Sequence, residues 1–294
     1  MKVLNFGSLN VDYVYSVDHM IMPGETQNSS GMNIFLGGKG FNQSVALAKA
    51  GVEVYHAGQI GEDGLMFLDG CKEYGVNTKY IRQMEGKGGH TIIQVDKNGQ
   101  NSIILYGGSN RTISREFVDS VLADFEEGDY LVLQNEINQL DYIIDQAYAK
   151  GMKIVLNPSP FDSELDACDM NKVSYFLLNE IEGAQLTGET ELSVIPDRIL
   201  EMYPNSAVML TMGHAGSVYK DAKETVKQGI YKVKAVDTTA AGDTFTGYFI
   251  AGLIAGEPMA KILDTAAKAS AIAVSRAGAS PSIPSKKEVE EAKL

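Results

Sequence analysis

From residue 128 onward, short apolar β-rich runs alternate with segments of helical period, and this alternation constrains the fold more than any other feature of the chain. Residues 130–134, 153–157, 174–178 and 207–212 read as strands, with another at 2–8. Helices are expected over 140–150, 241–255, 259–276 and 286–293. Strand and helix units in tandem specify an α/β fold around a mainly parallel sheet. Two earlier helices, 41–50 and 64–74, stop at Gly51 and Gly75, where a left-handed C-terminal cap calls for glycine.

Two segments interrupt this rhythm, at about 11–36 and 78–106, and both carry β patterning. The second holds a hairpin, 90–96 and 101–106, joined through Lys97-Asn98-Gly99-Gln100. Asn-Gly accepts the positive φ angles of a tight turn. The two insertions are expected to pair into a small second sheet that serves as a lid or a dimer surface.

With 38 acidic against 25 basic residues the chain carries a net charge of -13, which argues against a nucleic-acid partner because such binding is dominated by phosphate neutralisation. A single phosphate-bearing ligand in a local pocket remains compatible. Cys71 and Cys168 stand far apart without a Cys-x-x-Cys pair, so they read as small buried hydrophobes rather than a disulfide or zinc site. No apolar run approaches the ~20 residues that span a bilayer, so no membrane partner is expected and the cytoplasm is the expected location.

In an open parallel sheet, ligands bind beyond the carboxyl ends of the strands, so each strand exit is informative. The first leads to Asn10 and Asp12, which project to one side of an extended chain and read equally as a turn cap or as polar ligands. Gly37-Gly38-Lys39-Gly40-Phe41-Asn42 precedes a helix and lets backbone approach a ligand, or simply makes a tight connection. It matches neither the P-loop nor the dinucleotide fingerprint, and the missing fingerprint disfavours a nicotinamide-dependent oxidoreductase. Asn135-Glu136 follows the strand at 130–134 and suits hydroxyl recognition. Asn179 and Glu182 stand at the cap and third positions of a helix, a spacing that also serves a capping box. Thr211-Met212-Gly213-His214-Ala215-Gly216 offers two glycines on which a base or phosphate can lie.

Residues 236–248, Val-Asp-Thr-Thr-Ala-Ala-Gly-Asp-Thr-Phe-Thr-Gly-Tyr, are the most unusual. Asp237 and Asp243 flank a run of small side chains that leaves the amides of a helix start open to an anion. A carboxylate there can accept a proton from a hydroxyl that attacks phosphorus. A first-turn acid explains the aspartate alone, but not the cleared loop around it.

Together these segments resemble the ribokinase-type (PfkB) carbohydrate kinase family. The resemblance rests on Gly-Gly-Lys-Gly-x-Asn-Gln at 37–43, Asn-Pro-x-Pro at 157–160, Asn-x-x-Glu within 179–184 and Asp-Thr-x-Ala-Ala-Gly-Asp-Thr-Phe at 237–245. It implies one domain over 1–294 with a three-layer α/β/α fold and a β-sheet lid. It implies transfer of the ATP γ-phosphate to a sugar primary hydroxyl, with D-ribose the expected acceptor and another sugar or a nucleoside the alternatives. By the same resemblance Asp243 is the catalytic base, and the amides of Ala240, Ala241, Gly242 and Asp243 form the anion hole. Asn10, Asp12, Gly38, Lys39, Asn42 and Glu136 match sugar-binding positions. Asn179, Thr211, Gly213, Gly216 and Gly242 match ATP-binding positions, and Glu182 matches one that holds Mg²⁺ through water. A K⁺ activator would be held by Asp237, Thr239, Ala273, Arg276, Gly278 and Ser282, and a homodimer would form through the lid.

Three places depart from the family pattern. Phe41 replaces a small residue and, as the neighbour of Asn42, is expected to crowd the acceptor pocket or stack in it. Leu178 replaces a proline, and Leu105-Tyr106-Gly107-Gly108-Ser109-Asn110 replaces a run ending in Gly-Ala-Asn.

Overall fold

The computed structural model of the protein describes residues 1–294. In chain order its strands are β1 (Val3–Phe6), β2 (Asn10–Ser16), β3 (Gly31–Gly37), β4 (Val54–Ile60), β5 (Asn77–Gln83), β6 (Gly89–Val95), β7 (Asn101–Tyr106), β8 (Tyr130–Gln134), β9 (Lys153–Asn157), β10 (Tyr175–Asn179), β11 (Ala207–Thr211), β12 (Ser217–Lys220) and β13 (Thr225–Gln228). Its helices are α1 (Lys39–Lys49), α2 (Met66–Tyr74), α3 (Arg115–Leu122), α4 (Leu140–Ala149), α5 (Glu180–Thr187), α6 (Ile195–Met202), α7 (Ala241–Ala255), α8 (Met259–Val274) and α9 (Lys286–Glu291).

The larger sheet has 9 strands in the order β13-β12-β11-β10-β9-β8-β1-β4-β5. Every neighbouring pair from β5 to β11 is parallel, and β12 and β13 close one edge in antiparallel fashion. Parallel neighbours require crossover connections, which place helices on both faces. Alternate residues of each strand therefore feed separate cores. Val132 and Val155 pack with Phe41, Phe249 and Leu263, whereas Leu131, Leu133 and Ile154 pack with Phe117, Ile143 and Ile199. Helices α1, α2, α7, α8 and α9 cover one face and α3 to α6 the other, completing the three expected layers.

The smaller sheet has 4 strands in the order β3-β2-β6-β7. Its β6–β7 hairpin turns at Gly99, whose φ of 79° is the positive angle expected from Asn-Gly. The second insertion is shorter than expected, however. β5 pairs in parallel with β4 at the edge of the larger sheet, so only residues 89–106 of the 78–106 segment join the smaller one. The larger sheet likewise reaches well before residue 128, because β1, β4 and β5 form one wing of it. The expected glycine stops hold: Gly75 caps α2 at φ 78°, and Gly51 follows α1 at φ 91°.

Candidate active site

β1 lies between β4 and β8, so successive connections leave it in opposite directions along the sheet. Such a reversal opens a crevice at the carboxyl ends of the strands. The loops after β1 and β8 meet there: the Ser8 hydroxyl donates to Glu136 Oε2, and the Lys39 amide donates to the same oxygen at 3.0 Å. Helix α1 starts directly against this junction. A Cβ on Gly40 would lie 2.3 Å from Ser8 N and 2.6 Å from Gly7 C, so the approach requires glycine.

A polar cluster grows from this contact. Asn10 is buried, accepts from Asn110 Nδ2 at 2.7 Å and extends its own amide to 3.5 Å from Glu136 Oε2. Two residues along β2, Asp12 accepts from Thr91 Oγ1 of β6 at 2.5 Å. Burial raises the Asp12 carboxyl to about 6, with the Thr91 bond opposing and the Glu136 charge adding to the rise. Gly38 caps α1 at φ 90°. Burial would push Lys39 toward its neutral form, but Asp243, Glu136 and Glu182 outweigh it and keep the ammonium above its ordinary range. Asn10, Asp12, Gly38, Lys39 and Glu136 thus come together as expected.

Asp243 occupies the first turn of α7 and is buried. Asn42 Nδ2 donates to its Oδ2 at 3.2 Å and Gln43 Nε2 to its Oδ1 at 3.0 Å. Burial raises its pKa above the usual carboxylate range, opposed by Lys39 and by these two amides, while Glu182 adds to the rise. A carboxylate so placed is ionisable yet more basic than one in water. The helix starts from Ala240, which holds a left-handed φ of 59°. The amides of Ala240, Gly242 and Asp243 have no partner, whereas Ala241 N donates to Thr238 O at 3.3 Å. Three unsatisfied donors at a helix N-terminus make an anion site.

A cavity of about 230 Å³ opens over these amides, bounded by Lys39, Asn157, Glu182 and Asp243. Glu182 is buried, and its Oε2 accepts from Asn179 N at 3.0 Å and from Asn157 Nδ2 at 3.2 Å. Asn179 Oδ1 in turn accepts from Ile181 N and Glu182 N, completing a capping box on α5. The pair therefore caps α5, and both residues also line the cavity. A second cavity of about 790 Å³ adjoins the first across Thr238 and Gly242. Its walls include Thr211, Gly213, Gly216, Ala267 and Ala271, so the alanine-rich α8 forms one side.

Asp237 lies outside both cavities. Its Oδ1 accepts from Thr239 N and Oγ1 at 2.9 and 2.6 Å, and its Oδ2 from Gly278 N at 3.0 Å. The amides of Val236 and Asp237 both donate to Val274 O. The loop before α7 is thus tied to the segment that holds Ala273, Arg276, Gly278 and Ser282. Burial alone would raise the Asp237 pKa, but the Thr239 and Gly278 bonds prevail and lower it.

Two expectations fail on geometry. Phe41 is fully buried and packs edge-on against Phe67 at 5.1 Å and Tyr74 at 6.2 Å. Successive helical residues point about 100° apart, so Asn42 faces Asp243 while Phe41 faces the core. Asn135 does not join Glu136 either: its amide donates to Pro160 O at 2.7 Å and Asp162 Oδ1 at 2.8 Å. Conversely, Ser8 and Gln43 were given no role from the sequence, although Gln43 stands inside the quoted 37–43 run. The 230–235 segment, which supplies Ile230, Tyr231 and Val233 to the larger cavity, carries no motif at all.

Comparison with known proteins agrees with this geometry. Residues 1–286 match the pfkB family carbohydrate kinase domain. The chain is 34% identical to a ribokinase of Schizosaccharomyces pombe, covering 99% of this chain and 97% of that protein. It superimposes on the ribokinase of Thermotoga maritima with a TM-score of 0.89 and 31% identity, covering 99% and 98% of the two chains. Arabidopsis thaliana ribokinase complexed with ribose and ATP gives 0.86 and 28%, covering 99% and 97%. By sequence over its length and by fold, this chain belongs to the pfkB family of carbohydrate kinases.

Proposed function

We propose that this kinase transfers the γ-phosphoryl group of ATP to the 5-hydroxyl of D-ribose. The observation that carries the reading is Asp243, a buried basic carboxylate set between the sugar-side cluster and the open amides of the α7 start. The acceptor hydroxyl gives its proton to Asp243 as its oxygen bonds to the γ-phosphorus and the bond from phosphorus to the ADP oxygen breaks. The amides of Ala240, Gly242 and Asp243 receive the charge on the transferring oxygens, and Lys39 keeps a cation beside them. Asn42 Oδ1 is buried without a partner, which suits a donating sugar hydroxyl. Nucleoside and triphosphate fit the larger and smaller cavities, joined at Gly242. D-ribose is favoured by the similarity to ribokinases and by Phe41, whose ring leaves the acceptor side clear. An ADP-release screen over ribose, 2-deoxyribose, fructose and nucleosides tests it; a higher kcat/KM for any of the others overturns ribose.

Mg²⁺ suits Glu182, whose Oε2 is engaged by the chain while Oε1 remains for a metal-bound water. When bound, it would neutralise phosphate charge. K⁺ suits the junction of Asp237 and Thr239 with the 273–282 segment, where it would order the loop before α7. Equal turnover in K⁺ and Na⁺ at fixed Mg²⁺ would remove that assignment. The smaller sheet acts as a lid, since Asp12 and Thr91 ride on it. Sugar should then protect residues 90–106 from hydrogen exchange. A second copy of the chain covers its apolar surface, where Ile34, Ile92 and Ile104 are exposed on one face.

A further inference from the structure

Behind Asp243 runs a chain of polar side chains that touches neither cavity: Gln43, Gln134, Asn5, Ser44 and His56, all fully buried. Its polarity can be followed from the far end. Gly7 O lies 3.2 Å from His56 Nε2, which must donate to it. Burial lowers the His56 pKa to about 4, so the ring is neutral and its Nδ1 accepts from Ser44 Oγ at 2.8 Å. Ser44 Oγ in turn accepts from Asn5 Nδ2 at 2.8 Å, which turns Asn5 Oδ1 toward Gln134. Gln134 Nε2 donates both to Asn5 Oδ1 at 3.0 Å and to Gln43 Oε1 at 2.6 Å. With its oxygen so engaged, Gln43 can present only its NH₂ group to Asp243 Oδ1.

The arrangement has a cost that identifies its purpose. Gln134 Oε1 is buried with no hydrogen-bond partner. An orphaned carbonyl of this kind gives up its hydration without gaining a hydrogen bond in return. Rotating the amide would give that oxygen no donor and would set it against two acceptors instead. Reversing the whole chain would put Gln43 Oε1 against Asp243 Oδ1, which is tolerable only for a protonated carboxyl.

We propose that Gln43 is a positioning residue for phosphoryl transfer: it holds the Asp243 carboxylate ionised and aimed, and the relay from Gly7 through His56, Ser44, Asn5 and Gln134 fixes its orientation. This rests on Asp243 being the general base. The charged groups facing Asp243 are Lys39 on α1, Glu182 on α5 and Glu136 after β8, and none of them belongs to the relay.

The test is single-turnover kinetics with ATP and D-ribose across pH, for Gln43→Met, Gln134→Met and Asp243→Asn, with melting curves for each. Gln43→Met keeps length and loses the donor, so the acidic limb of the rate should move up by about one pH unit. The rate at pH 7 should fall about 10- to 100-fold, with the sugar KM within about threefold. Gln134→Met does not touch Asp243 and reaches it only through Gln43, so it should move the limb the same way by a smaller amount. An unmoved limb in folded Gln43→Met overturns the proposal; should that variant not fold, an unmoved limb in Gln134→Met does so. If Asp243→Asn loses turnover while both limbs stay put, the relay fails and the base assignment stands. If Asp243→Asn keeps its turnover, the base assignment falls and the relay with it.

Discussion

The two sheets solve different problems. The larger is covered on both faces, and the helices against it carry Asp243, the proposed base, with its amide donors and the open backbone of the α7 start. The smaller exposes every residue of β7 and carries Asp12, a proposed sugar ligand, with its partner Thr91. On the proposed reading, chemistry is mounted where side chains have no freedom, and selection where only one face of a sheet is covered. Few of its apolar side chains are buried, which is the signature of a region that opens at low cost.

Four substitutions probe this division. Asp243→Asn on the covered side should reduce turnover about 10²- to 10⁴-fold with a smaller change in sugar binding, as measured by steady-state kinetics. Near-normal turnover would place the chemistry elsewhere. Gly247→Ala tests how closely α1 and α7 approach, because a Cβ there would lie 2.4 Å from Ala46 Cβ and 2.7 Å from Ala46 C. Denaturant titration should show a loss of about 1–3 kcal/mol. An unchanged midpoint would mean that the two helices can separate without penalty.

On the open side, effects should fall on binding. As a proposed sugar ligand Asp12 accepts at both carboxyl oxygens only when ionised, and burial first of all raises its pKa to about 6. The sugar KM should therefore rise as pH falls through that value, by up to roughly tenfold per unit, and Asp12→Asn should flatten the dependence. A pH-independent KM in the parent protein would detach Asp12 from recognition. Ile104→Asp, at a position 62% exposed, should change monomer stability by no more than about 0.5 kcal/mol. Sedimentation should nevertheless show loss of the proposed paired form. Retention of a dimer would move the interface off this sheet.

The sequence was most legible where local signals agreed with the packing. α7 runs over the expected 241–255, since small residues open it and Gly256 at φ 67° ends it. β4 escaped notice because Val-Tyr-His-Ala-Gly-Gln-Ile is no apolar run; its buried His56 and Gln59 are satisfied by Ser44, Gly7 and Thr112, partners far away in sequence. α5 has almost no apolar stripe and announces itself only through its capping box. At the site, strand exits pointed to Asn10 and Glu136 and the cleared helix start pointed to Asp243, but neighbours in sequence misled. Asn42 and Phe41 point to different surroundings, and Gln43 is distinguished only by what folding brings against it.

Ala240 has a consequence for engineering. Left-handed backbone costs a non-glycine residue about 1–2 kcal/mol. Here the conformation is kept by Thr244, whose amide and hydroxyl both donate to Ala240 O, at 2.8 and 2.7 Å. Glycine at 240 would relieve the penalty, less the entropy it adds to the unfolded chain, and would let the turn wander. Selection for heat tolerance and selection for turnover will therefore pull position 240 in opposite directions.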